Sequence, residues 1–178
     1  MELKFSSLLP VTFRNIGMTL LVATTLVVAG CSASEESQVR GYNNEIVRVQ
    51  QEMLKSASAV TEAFEGATLD MDIAVTHLEK VLEAVNGSYS KFQGLAVPKG
   101  AEELADSMKR FFETEIEGIN GLIAALKDFE GKAKDPTALQ GLMRALDQFT
   151  QNETAAFVDF DKTQKKVSAR YGQQVQGN

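Results

Sequence analysis

Apolar side chains recur every three or four residues through four successive stretches of this 178-residue chain. No stretch alternates apolar and polar residues as a half-buried strand does. Tyr42, Ile46, Val49, Met53, Ala57, Val60 and Phe64 mark the first stretch, and Met71, Ala74, Leu78, Val81, Val85, Tyr89 and Phe92 the second. Leu104, Met108, Phe111, Phe112, Ile116, Ile119, Leu122, Ile123, Leu126 and Phe129 mark the third. Leu139, Leu142, Leu146, Phe149, Ala156, Phe160 and Val167 mark the fourth. An α-helix turns once in 3.6 residues, so each series forms one apolar face. Four amphipathic helices joined by short connections bury those faces most simply as an antiparallel up-down four-helix bundle, and the predicted fold class is all-α. The helices are expected to run about 25 to 36 residues, rods of roughly 40–55 Å.

The breaks between the stretches carry their own chemistry. Pro98 interrupts any helix through Leu95–Gly100, and Asp135-Pro136 supplies a capping carboxylate followed by a residue with no N–H to satisfy. Gly66 offers a stop, with Thr68 as the next cap and Asp70 and Asp72 beside a positive helix end. Asn86-Gly87 lies inside the second stretch, and Gly118 and Gly121 inside the third. The periodicity runs through all of them, so the helices are expected to continue, straight or kinked. Gly118 and Gly121 are read as places where a neighbouring helix comes close.

The N-terminus is built differently. Lys4 and Arg14 precede a run from Ile16 to Ala29 that is almost wholly apolar or small, and the chain turns polar at Ser32. A charged start, a short apolar core and small residues at its end describe a secretory signal. Fourteen residues rise roughly 21 Å as a helix, too little for a hydrocarbon core of about 30 Å. Val28-Ala29-Gly30-Cys31 then closes this segment and resembles the lipobox of bacterial lipoproteins, with Val28 where leucine is commonest. The resemblance covers residues 1–32 only. It implies cleavage after Gly30, a diacylglycerol on the Cys31 sulfur and, in many bacteria, an acyl group on the new amine. The alternatives are an ordinary signal with a chance cysteine, or a buried core cysteine. Ser32 at the next position leans toward the outer membrane, facing the periplasm, where the host has two membranes. On this reading residues 1–30 are a signal peptide and 31–37 a lipidated polar tether. Residues 38–171 are the bundle and 172–178 a disordered tail.

Without the first 30 residues the chain keeps 148, one ordinary domain, with 16 basic and 23 acidic side chains. That net of −7 disfavours nucleic acid and anionic lipid headgroups, neither of which would release counterions to such a surface. Cys31 is the only cysteine, so no intramolecular disulfide contributes, and stability must come from packing.

Groups able to do chemistry are few. His77 is the only histidine, placed at the edge of the second stripe, and no neighbouring residues complete a nucleophilic triad. The Glu-x-x-His pairs of di-iron bundles are absent because position 74 is alanine. A haem on His77 with Met53 or Met108 competes with the ordinary use of methionine in cores. No cofactor and no metal site is predicted. The acidic residues read mostly as a solvated face, with Glu113 and Glu117 on one side of a helix and Glu115 pointing nearly the other way. Glu153 is the exception, occupying a stripe position between Phe149 and Ala156. Buried, it needs a partner, with Lys55 and Arg110 the candidates; the alternative is that the bundle opens at this position.

These features predict a membrane-anchored, non-enzymatic helical interaction module with an envelope protein as partner or a second copy completing its burial. The alternative is a sensory or carrier bundle that holds a small apolar molecule near Phe111, Phe112, Phe149, Phe157 and Phe160.

Overall fold

The computed structural model describes residues 34–63, 71–132 and 136–171. The lipobox and Cys31, Phe64, the Gly66–Asp70 break, the Asp135 cap and the 172–178 tail lie outside them. Four helices account for nearly all of the described chain: α1 (Glu35–Ala63), α2 (Met71–Gln93), α3 (Glu102–Gly131) and α4 (Pro136–Arg170). They span 23 to 35 residues and form the expected four-helix bundle. None is long and apolar enough to cross a membrane.

Local signals account for the ends. Ser34 caps α1, its Oγ accepting a hydrogen bond from the Ser37 N–H at 3.2 Å, with Glu35 and Glu36 in the positive first turn. The helix therefore reaches back to Glu35, into the segment read as tether. After α2, Pro98 allows a tight turn in which its carbonyl accepts from the Ala101 N–H at 3.1 Å. Gly100 follows with φ +91°, a conformation only glycine adopts without strain, and its N–H donates to Glu102 at 2.8 Å. Pro136 opens α4. The helices run unbroken through Asn86-Gly87, Gly118 and Gly121.

Adjacent helices in sequence pack side by side, most extensively α3 with α4. Ion pairs display the antiparallel register. Glu103 meets Lys166 at 2.6 Å and Arg110 meets Asp159 at 2.8 Å, so seven residues along α3 match seven back along α4. Lys91–Glu52 links α2 to α1 and Lys127–Glu79 links α3 to α2. The ring closes between α1 and α4 through Asn43–Gln164 at 3.0 Å and Glu35–Tyr171 at 2.9 Å. All of these ion pairs are exposed and screened by solvent, so they add little stability, and burial supplies the rest. The core is centred on α3, where Leu104, Met108, Phe111, Phe112 and Ile119 are buried against Ile46, Val49, Val85, Phe160 and Val167.

One stripe residue departs from expectation. Leu139 is 41 % exposed, and Met143 one turn on is 43 % exposed. The buried line of α4 starts instead from Ala138 and Leu142, one residue round the helix. Apolar spacing locates a face only to within a residue's width when two apolar residues are adjacent on the helix.

Candidate functional site

Glu153 is 3 % exposed, as its position in the stripe requires. Its side chain is not met by Lys55 or Arg110. Lys55 is exposed, and Arg110 donates to Asp159. The group hydrogen-bonded to Glu153 is Glu115 of α3, itself 2 % exposed. The reading of Glu115 as part of a solvated face is thereby corrected, whereas Glu113 and Glu117 do lie on the exposed side. A signal was available. Glu115 falls three residues after Phe112 and four before Ile119, both buried, so it holds a stripe position as surely as Glu153 does.

Two carboxyls at such a depth need one proton between them, because like charges in a low-dielectric interior repel strongly. Glu115 is pushed toward its protonated form. Burial raises its pKa well above the ordinary 4.5, the charge of Glu153 raises it further, and the hydrogen bond to Glu153 adds to both. Its Oε2 finds no hydrogen-bond partner among the described residues.

The neighbouring turns explain why water does not solvate the pair. One turn along both helices, Phe149 packs directly on Gly118. A β-carbon on Gly118 would stand 2.0 Å from Phe149 Cδ2, so only glycine lets α4 come this near. The close-approach reading of Gly118 holds, while Gly121 faces open space. One turn in the other direction, Phe111 meets Phe157 and Phe160 with ring centroids 6.3 Å apart in both cases. Phe112 stacks on Tyr89 at 5.3 Å. The phenylalanine cluster named from the sequence is thus largely ring packed on ring, and Phe149 is occupied by Gly118.

His77 is 1 % exposed, fully buried rather than at the edge of the stripe. Burial, then the charge of Lys80, pushes its imidazole pKa below the ordinary 6.5, so it stays neutral. Tyr42 is buried as well. Desolvation, with Asp106 adding to it, raises its phenol to about 12, and its hydroxyl finds no hydrogen-bond partner among the described residues.

The chemistry open to this arrangement is limited. A proton-sharing carboxyl pair can serve acid–base work where a substrate reaches it. The groove of about 550 Å³ on the outer side of α3 and α4 is lined by Thr114, Gly118, Asn152 and Ala156, the residues flanking the pair, and not by the carboxyls themselves. Among the described residues no three His, Cys, Asp or Glu side chains gather to hold a metal. Neither did sequence reasoning name Glu115 and Glu153 together, since they lie 38 residues apart and only the α3–α4 register joins them.

Comparison with known proteins returns no match to a family model, to a curated protein or to a solved structure.

Proposed function

We propose that this chain is an envelope lipoprotein whose four-helix bundle works as a non-enzymatic interaction module. Cys31 is its lipidated first residue, cut from a signal peptide after Gly30 and held on the membrane by its acyl chains. In a host with two membranes, Ser32 directs it to the outer membrane, facing the periplasm. Its partner is another envelope protein, met through the exposed helix surfaces. The observation that carries this reading is the sequence Val28-Ala29-Gly30-Cys31 at the end of a charged, then apolar, signal. Two features support the non-enzymatic part. The one buried acid pair described is closed off from the nearby groove, and the aromatic cluster is filled by its own rings.

In-cell crosslinking with mass spectrometry, wild type against Cys31→Ser, tests both halves when the mature N-terminus is read in the same run. An acylated Cys31 and one dominant envelope neighbour, lost in Cys31→Ser, is the expected result. An uncut or unacylated N-terminus overturns the anchor. An acylated protein with no reproducible neighbour overturns the interaction module. It moves the weight to the second reading, a bundle carrying a small apolar molecule in the α3–α4 groove beside Phe149 and Ala156.

A further inference from the structure

We infer that the turn joining α2 to α3, Leu95–Gly100, is the part of the bundle that rests on the bilayer. The inference builds on lipidation of Cys31 and asks which end of the molecule that anchor holds down. Ser34 already caps α1, so three residue steps separate it from Cys31, and a fully extended chain spans about 11 Å in that length. Whatever lies beside Ser34 is therefore close to the headgroups.

What lies there is well defined. Glu35 accepts a hydrogen bond from the Tyr171 hydroxyl at 2.9 Å and stands 3.8 Å from Lys99 Nζ. The start of α1, the α2–α3 turn and the end of α4 thus form one end of the rod. Gly100 fits directly beneath the Tyr171 ring, with no room there for a β-carbon. The 29 residues of α1 place its other end about 43 Å away at the helical rise.

The turn's exposed side chains suit an interface. Val97 is 47 % exposed, and the Lys99 side chain is 87 % exposed, with Pro98 stiffening the backbone between them. A valine set into the headgroup boundary beside a lysine that extends its ammonium toward phosphate is the pattern by which amphipathic side chains sit at membrane surfaces. Net charge contributes little, because Arg40, Lys99, Lys166 and Arg170 at this end are balanced by Glu35, Glu36, Glu102 and Glu103. One valine buries too little area to hold a protein on a membrane, so the turn orients the bundle and the acyl chains bind it. The rod then stands with the α1–α2 and α3–α4 ends pointing away from the membrane.

The test uses the full, acylated protein in vesicles of phosphatidylethanolamine and phosphatidylglycerol. With the Cys31 thiol blocked by lipid, Val97→Cys or Leu139→Cys supplies a single labelling site for an environment-sensitive dye. Lipids carrying a spin label near the headgroup are expected to quench the dye at 97 severalfold more than at 139, unchanged in high salt. Equal or reversed quenching with Cys31 shown by mass to be acylated overturns the inference and leaves the anchor standing. A Cys31 without acyl groups overturns the anchor, and the inference falls with it. The soluble Cys31→Ser form should show no quenching at 97, and quenching there would refute the division in which the acyl chains bind and the turn only orients.

Discussion

Glu115 on α3 and Glu153 on α4 share a hydrogen bond between buried carboxyls, and a single proton joins the pair. Burial, the Glu153 charge and the bond itself all favour the protonated form. The fold binds this proton more tightly than the unfolded chain does, and a dependence of stability on pH follows.

The sign is fixed by that order. A folded pKa raised above an unfolded value near 4.5 gives a contribution fully present below 4.5 and lost as pH rises through the folded value. Over that window the loss is ~1.4 kcal/mol per pH unit for one proton. His77 acts oppositely, since its lowered pKa costs stability as pH falls below 6.5. Comparing melting temperatures of wild type and Glu115→Gln across pH isolates the acid pair. The stability of wild type relative to the variant should decline from acid toward alkaline pH. A flat difference would show that the pair takes up no proton on folding.

Gly118 and Gly121 sit one turn apart on α3 and should respond in opposite directions. Gly118→Ala drives a β-carbon into the buried Phe149 ring and should destabilise by about 1–3 kcal/mol. Gly121→Ala meets nothing and should stabilise by up to about 1 kcal/mol. Urea unfolding of the two variants decides it, and equal effects would mean that α4 does not approach α3 at Gly118.

At the Ser34 end, Gly100→Ala faces two costs. The backbone at φ +91° disfavours a side chain, by about 1–2 kcal/mol, and the new β-carbon collides with the Tyr171 hydroxyl. Tyr171→Phe alone loses the exposed bond to Glu35 and should cost much less than the glycine substitution. Thermal melts of the double variant should show a smaller penalty for Gly100→Ala than in wild type, because the colliding oxygen is gone. An unchanged penalty would assign the whole effect to the backbone.

Core and surface should differ in scale. Phe112→Ala or Phe160→Ala empties a site at the centre of the ring cluster and should cost about 3–5 kcal/mol. Arg110→Ala removes only the exposed pair with Asp159, worth about 1 kcal/mol at most. Chemical denaturation midpoints measure both, and a large loss in Arg110→Ala would show that the α3–α4 surface pair is stronger than its exposure allows.

Much of this was legible without coordinates. The apolar period specifies helices because it is a property of residues close in sequence, and Pro98 and Pro136 act on their own backbone wherever the chain is placed. Glu153 was recognisable as buried on the same ground. Its partner was not. Charge complementarity pointed to Lys55 or Arg110, but the choice belongs to the register between two helices, of which the contact of Phe149 with Gly118 is one part. His77 and Leu139 mark the same boundary: whether a residue beside a stripe is covered depends on the angle at which the neighbouring helix crosses it.

The sequence by itself determined four helices, their breaks and the place of Cys31 directly behind an apolar run, because each depends on a residue and its near neighbours. Only the tertiary structure decided that Glu115 faces Glu153, that His77 is sealed in, and that Glu35, Lys99 and Tyr171 share one end of the rod. Those are relations between helices far apart in the chain. They follow from the bundle's register, which is set by packing summed over whole helix faces and not by any single position.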